Sequence, residues 1–409
     1  MKKVWKKGIY VLTALLLLLV PVLGACGNGG GGSANSSKGT DSDEKTNIGV
    51  LIYDPSDSQV LAFQKYYNDY IAKNYNVEFK FSSAISTAEE EKSAIENFAS
   101  QNCKAVIALT QADMVAAINE AAKAKMYYIV GVGTMTDEQY EETKDNEYFL
   151  GTIGPDLASE EKAGYDMAKH YIAEGDKNYV LYAGGMSYGV DAHRKRFEGF
   201  VKAFQEAGVT YKEPEAGKFI GSFEDDEYTI QILEGFPDDA GAFYTEAQQK
   251  LGEPGVETLL SVGIGLEVFG ATISNVNPEI RLATVSAFTE AYKDGFDANP
   301  QQVDYLSGTF PAMIGPTFAA VMNAVNGDSE DFRDNGQAFR ISQNYWNAQT
   351  KEEFDKMYDI ANDFENPAIN KDDLNQLIKK NNKDADFESF VKFASNVDFE
   401  TIQENIANR

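Results

Sequence analysis

Beyond residue 47 the chain alternates short runs rich in β-branched and aromatic residues with longer stretches whose apolar positions recur at spacings of three and four. Runs at 48–53, 77–81, 105–109, 127–132 and 148–153 read as strands, and the stretches between them, 58–73, 87–100, 113–123 and 156–172, as helices with Asp or Ser near their starts as caps. A second series follows, with strands near 179–182, 228–233, 258–262, 282–285, 305–309 and 339–342, again separated by helical segments. Repeated β–α alternation is satisfied by parallel sheets covered by helices on both faces, so the two series predict an α/β protein of two doubly wound lobes. Pro155 ends the fifth strand and a capped helix begins at once, which marks a first crossing between lobes; a return is expected near Phe310 and Pro311. These breaks assign 47–153 and about 311–337 to an N-terminal lobe and 154–310 and about 338–350 to a C-terminal lobe. From 351 to 409 the pattern becomes charged helices rich in Asn, Asp and Lys, expected to be a surface extension without ligand chemistry. Two open sheets facing each other leave a cleft at the carboxyl ends of their strands, so the site is expected in the strand-to-helix loops.

The N-terminus has a different pattern. Lys2, Lys3, Lys6 and Lys7 precede an almost wholly apolar stretch from Val11 to Val20, and Leu23-Gly24-Ala25-Cys26 closes it. The apolar run is short for a membrane span of about 20 residues. It resembles a bacterial lipoprotein signal, which would make 1–25 a removed signal peptide and Cys26 the acylated first residue of a chain held at the extracytoplasmic face of the membrane. Residues 26–46 are Gly, Ser, Asn and charge without apolar periodicity, a flexible tether whose typical reach is about 25 Å.

Charge and composition narrow the partners. The formal net charge is −28, and loss of the four lysines in 1–25 takes it to −32, a field that repels nucleic acid and anionic lipid. Apart from Cys26 the only cysteine is Cys103, read as a small core residue, and the only histidines are His170 and His193, so neither a disulfide framework nor a structural zinc site is expected. No cofactor is implied.

The segment IGVLIYDPSDSQVLAFQKYYNDYI, with the lipoprotein-like start and the paired lobes, resembles the type I solute-binding proteins of bacterial ABC importers, nearest the galactose and ribose binders, over roughly residues 47–344. The resemblance implies a sugar site. Matching Ile-Tyr-x-x-x-Asp places Tyr53 and Asp57 at contact positions with Gln59 beside them, while DAHRKRFEGF matches an Arg-x-Arg-x-x-Gly-aromatic helix start whose second arginine, Arg196, would fork to sugar oxygens. Read without the resemblance, Asp57 is also the N-cap of the helix at 58, Arg196 belongs to an exposed basic run from Arg194, and Tyr53 is a strand-end packing residue.

Departures from the sugar-binder pattern fall in the second lobe. ATVSAFTEAY offers Ser286 where an aspartate is expected, and in SVGIGLEVFG the glycines 263 and 265 present only backbone. Thr110, Gln111 and backbone groups would have to compensate, with Phe288 and Phe310 as candidate ligand walls; a nucleoside, a modified sugar or an oligosaccharide end is the alternative ligand. Gly185-Met186-Ser187-Tyr188-Gly189 matches the G-x-S-x-G of hydrolases, but the only downstream histidine, His193, lies six residues on near the start of the following helix, where the usual order of nucleophile, acid and histidine on another loop is unavailable, so an enzyme is not expected. Glycines 263, 265 and 270 do not keep the dinucleotide spacing, the acidic run 224–227 lacks calcium-loop spacing, and Tyr66, Tyr67 and Tyr70 read as core packing. The expected protein is a monomeric solute binder that closes on a small carbohydrate and serves ABC permease subunits, with a ligand-sensing partner of a membrane receptor as the alternative role.

Overall fold

The computed structural model describes residues 45–110, 112–133, 135–236 and 241–409; the signal segment, Cys26, most of the tether and Gln111 lie outside the described residues. The first sheet takes β1 (Thr46–Ile52), β2 (Val77–Ala84), β3 (Ala105–Ala108), β4 (Tyr127–Gly131) and β5 (Phe149–Gly154). After the crossing at Pro155 come β6 (Asn178–Gly184), a small antiparallel hairpin of β7 (Thr210–Lys212) and β8 (Ser222–Glu224), then β9 (Thr229–Glu234), β10 (Thr258–Ser261), β11 (Arg281–Ala287) and β12 (Tyr305–Thr309). Two last strands, β13 (Phe339–Ser342) and β14 (Trp346–Ala348), complete the sheets. The orders are β13-β5-β4-β3-β1-β2 and β14-β12-β11-β10-β6-β9, parallel throughout except for β14. Continuous burial of β3, β5 and β10 agrees with sheets covered on both faces.

One lobe boundary differs from the sequence expectation. β13 was assigned with the C-terminal lobe, yet it pairs with β5 in the first sheet, Phe339 opposite Gly151. Gly151, at φ +139, lets the Phe339 backbone come within 2.1 Å of where a Cβ would stand, so only glycine permits that pairing. The chain therefore crosses between sheets three times, at Pro155, at Phe310 and between Ser342 and Trp346.

The C-terminal segment is also more than a surface extension. Its helices Lys351–Ala361, Lys371–Leu377, Phe387–Ser395 and Phe399–Ala407 bury Phe354, Leu374, Phe390 and Ile402. Phe354 stacks on Phe288 and Phe296 of the second lobe, while the Tyr66 hydroxyl of the first lobe donates to the Ile369 carbonyl at 2.8 Å. The third crossing is pinned by it: Gln343 Nε2 donates to Ala394 O at 3.0 Å and Trp346 Nε1 to Val397 O at 2.9 Å. Charge dominated the composition of this segment, but apolar residues at helical spacing decided its burial.

The helix expected at 58–73 begins as an α-helix, Ser58–Lys65, and widens into a π-helix, Tyr66–Ile71. Both adjacent tyrosines, Tyr66 and Tyr67, are buried there, as the packing reading expected. Cys103 is buried as expected. No helix among the described residues is long and apolar enough to cross a membrane.

Candidate binding cleft

β1 runs directly into the first-lobe part of the site. Its strand ends at Ile52, Tyr53 follows, and Asp57 caps the next helix by accepting from Gln59 N at 2.8 Å and Val60 N at 3.1 Å. The cap fixes the carboxylate, and the Tyr53 hydroxyl lies 2.7 Å from the same oxygen, Asp57 Oδ1, and 3.2 Å from Gln59 Oε1. Gln59 then reaches the other lobe: its Nε2 donates to Thr309 Oγ1 at 2.5 Å, at the end of β12. Thr309 in turn lies 3.4 Å from the Ser286 carbonyl on β11. Tyr292, within reach of Ser286, donates its hydroxyl to Glu267 Oε2 at 2.6 Å. Tyr53, Asp57, Gln59 and Ser286 are thus brought together where the lobes meet.

Thr309, Tyr292 and Glu267 complete this arrangement and were not singled out from the sequence. Glu267 stands within SVGIGLEVFG, in the first turn of the helix Gly265–Val276, two residues past the second of the glycines that drew attention. The helix start was the available signal, since a first-turn side chain stands at the carboxyl edge of the preceding strand.

Tyr53 keeps 37% of its surface accessible, yet protein surrounds it enough that burial, and then Asp57 with Glu267 and Asp54, raises its phenol well above the ordinary value. Burial likewise raises the Glu267 carboxyl, with Asp57 adding to the effect. A group that solvent reaches but protein largely encloses is what a ligand groove provides.

Thr110 is half-buried just beyond β3. The turn after it is held by Glu91, whose buried carboxylate accepts from Ala112 N at 2.9 Å and Asp113 N at 2.8 Å. Gln111 is outside the described residues.

Three expected site residues are used otherwise. Arg196 was read as a ligand fork, but its Nε donates to Glu160 Oε2 at 2.6 Å, Nη1 to Val262 O at 2.6 Å and Nη2 to the Tyr345 hydroxyl at 2.9 Å. Glu160 is 4% exposed and needs this counter-charge, and Tyr345 donates to it as well. Phe310 stacks on Trp346 with ring centroids 4.0 Å apart, and Phe288 packs between Trp346 and Phe354. Both rings are at most 1% exposed, so they serve the hinge core and not a ligand wall.

His193 accepts a hydrogen bond from Gly185 N on Nδ1 at 2.9 Å. Burial and the nearby Arg196 push its pKa down to about 3. It braces the loop containing Ser187, and no bond joins it to Ser187 among the described residues. A cavity of about 460 Å³ opens beside that loop, between Glu234, Gly235, Gly221 and Glu246, and shares no residue with the Tyr53–Glu267 chain of contacts.

No family model and no curated protein matches the sequence. Solved structures do match in shape. The periplasmic binding protein component of the arabinose ABC transporter from Shewanella sp. ANA-3, bound to α- and β-L-arabinofuranose, aligns at TM-score 0.57 and 16% identity, covering 78% of this chain and 96% of that one. A galactofuranose binding protein aligns at TM-score 0.56 and 13% identity over 77% and 99%. An ABC transporter solute binding protein from Bacillus halodurans with bound myo-inositol gives 0.56 and 16% over 78% and 99%. About a fifth of this chain therefore has no counterpart in them. Two parallel-dominated sheets with three crossings between them, matched at this level by such structures, give the chain the fold of the type I solute-binding proteins.

Proposed function

We propose that this protein is an extracytoplasmic solute-binding lipoprotein that captures a sugar by lobe closure and presents it to the permease of an ABC importer. The reading is carried by the contact of Gln59 with Thr309, which brings hydroxyl-binding side chains of both lobes to one place beside a crossing. Ligand held there contacts both lobes and so favours the closed arrangement by its differential affinity for it. Structures of the same fold bound to L-arabinofuranose and to myo-inositol, and that of a galactofuranose binding protein, support the ligand class. Cys26, acylated, would hold the body at the membrane, with residues 27–46 as its tether. Binding and closure need no covalent step and no cofactor. A thermal-shift screen of the protein against pentoses, hexoses, inositols, oligosaccharides, nucleosides and amino acids tests the reading, because a ligand specific to the folded state raises the melting temperature. A rise with a sugar is expected; rises with nucleosides or amino acids alone would overturn the sugar assignment.

A further inference from the structure

We infer that Glu267 is the second lobe's acceptor for ligand hydroxyls, and that it makes the cleft select uncharged or amino-bearing polyhydroxylated ligands over those carrying a carboxylate or phosphate. The inference rests on the sugar-capture reading above. Sequence left the second lobe short of acceptors, with Ser286 in place of an aspartate and glycines 263 and 265 showing only backbone. Glu267 supplies the missing oxygen from a neighbouring turn. It is exposed, and the buried Tyr292 fixes it with a 2.6 Å bond to Oε2. An ionised carboxylate has about four lone-pair sites, so one tyrosine leaves most of its accepting capacity free.

Across the cleft Asp57 is fixed in a similar way. Its Oδ1 takes Tyr53, Gln59 N and Val60 N, and no hydrogen bond reaches Oδ2 among the described residues. The continuous set of contacts through Tyr53, Gln59, Thr309, Ser286 and Tyr292 joins the two carboxylates. Neither is ion-paired to a lysine or arginine among the described residues. The cation that the sugar-binder pattern would place at the ligand, Arg196, is already paired with Glu160. A hydroxyl or ammonium can donate to both carboxylates, whereas an anionic group would meet two of them with no counter-charge.

Isothermal titration of the full protein against D-galactose, L-arabinose, D-ribose and myo-inositol, with D-galactosamine, D-galacturonate and D-galactose 6-phosphate as charged counterparts, tests this. The expected result is binding of a neutral or amino member with the acid and phosphate at least a hundredfold weaker. Glu267→Gln, which keeps an acceptor for Tyr292, should weaken the bound neutral ligand at least tenfold and narrow its advantage over the acid. Tyr292→Phe should give a smaller loss, about threefold to fivefold, by freeing the carboxylate. Galacturonate or the phosphate binding as tightly as galactose would overturn the inference while leaving sugar capture standing. So would unchanged affinities in a folded Glu267→Gln protein. Failure of every sugar, whatever its charge, would instead remove the sugar reading and this inference with it.

Discussion

At the scale of single residues, side chains that look alike in sequence carry different work because their surroundings differ. Asp57 can be both helix cap and cleft acceptor, since capping uses Oδ1 alone. Arg196 cannot serve the ligand in the same way while Glu160, Val262 and Tyr345 take its donors. Arg196→Ala would strand the buried Glu160 charge, and urea denaturation should show a loss of about 3–5 kcal/mol of stability. His193 makes a pH prediction. Its folded pKa of about 3 lies below the ordinary 6.5, so in that window the unfolded chain binds the extra proton. The stability it contributes is complete above about pH 6.5 and is lost as the pH falls toward 3, with a slope up to about 1.4 kcal/mol per pH unit. His193→Asn, which keeps an acceptor near Gly185 but does not titrate, should flatten that limb in melting curves taken from pH 7 to 4.

Among the elements, the C-terminal helices stand out because they touch both lobes and the third crossing at once. Lys351–Ala361 packs on the second lobe through Phe354, and the Tyr358 hydroxyl donates to Glu290. Further on, Leu377 O accepts from Asn323 Nδ2 of the first lobe at 2.8 Å. Trp346 lies between these attachments, stacked on Phe310 and in edge contact with Phe399. Trp346→Ala should cost about 3–5 kcal/mol, measured by denaturant unfolding, because it empties a fully buried site and leaves Val397 O without its donor. Strand and helix positions in the first lobe were legible beforehand: the helix at 113–123 is found at Met114–Lys123, capped by Asp113, and the strand at 105–109 at Ala105–Ala108. The π-helix at Tyr66–Ile71 was not, because helical periodicity does not distinguish 3.6 from wider turns over six residues.

For the whole molecule, charge sets the working conditions. A strongly negative body resists self-association and anionic surfaces, and on the proposed reading an acylated Cys26 would hold it near the membrane all the same. Cys26→Ser should abolish incorporation of labelled fatty acid, read by metabolic labelling and gel fluorography; continued labelling would remove Cys26 as the anchor. The two-lobe α/β architecture, the first crossing at Pro155 and the cap at Asp57 were determined by sequence alone, because local patterning, caps and turn residues encode them directly, whereas Tyr53, Asp57 and Gln59 were singled out as ligand contacts only through the family resemblance. Tertiary structure decided the rest: that β13 returns to the first sheet, that Arg196 and Phe310 belong to the hinge interior, and that Glu267 and Thr309 meet the first-lobe residues. Each of these depends on groups separated by tens to hundreds of residues, whose pairing is set by which surfaces the sheets bring together and which charges burial compels to pair.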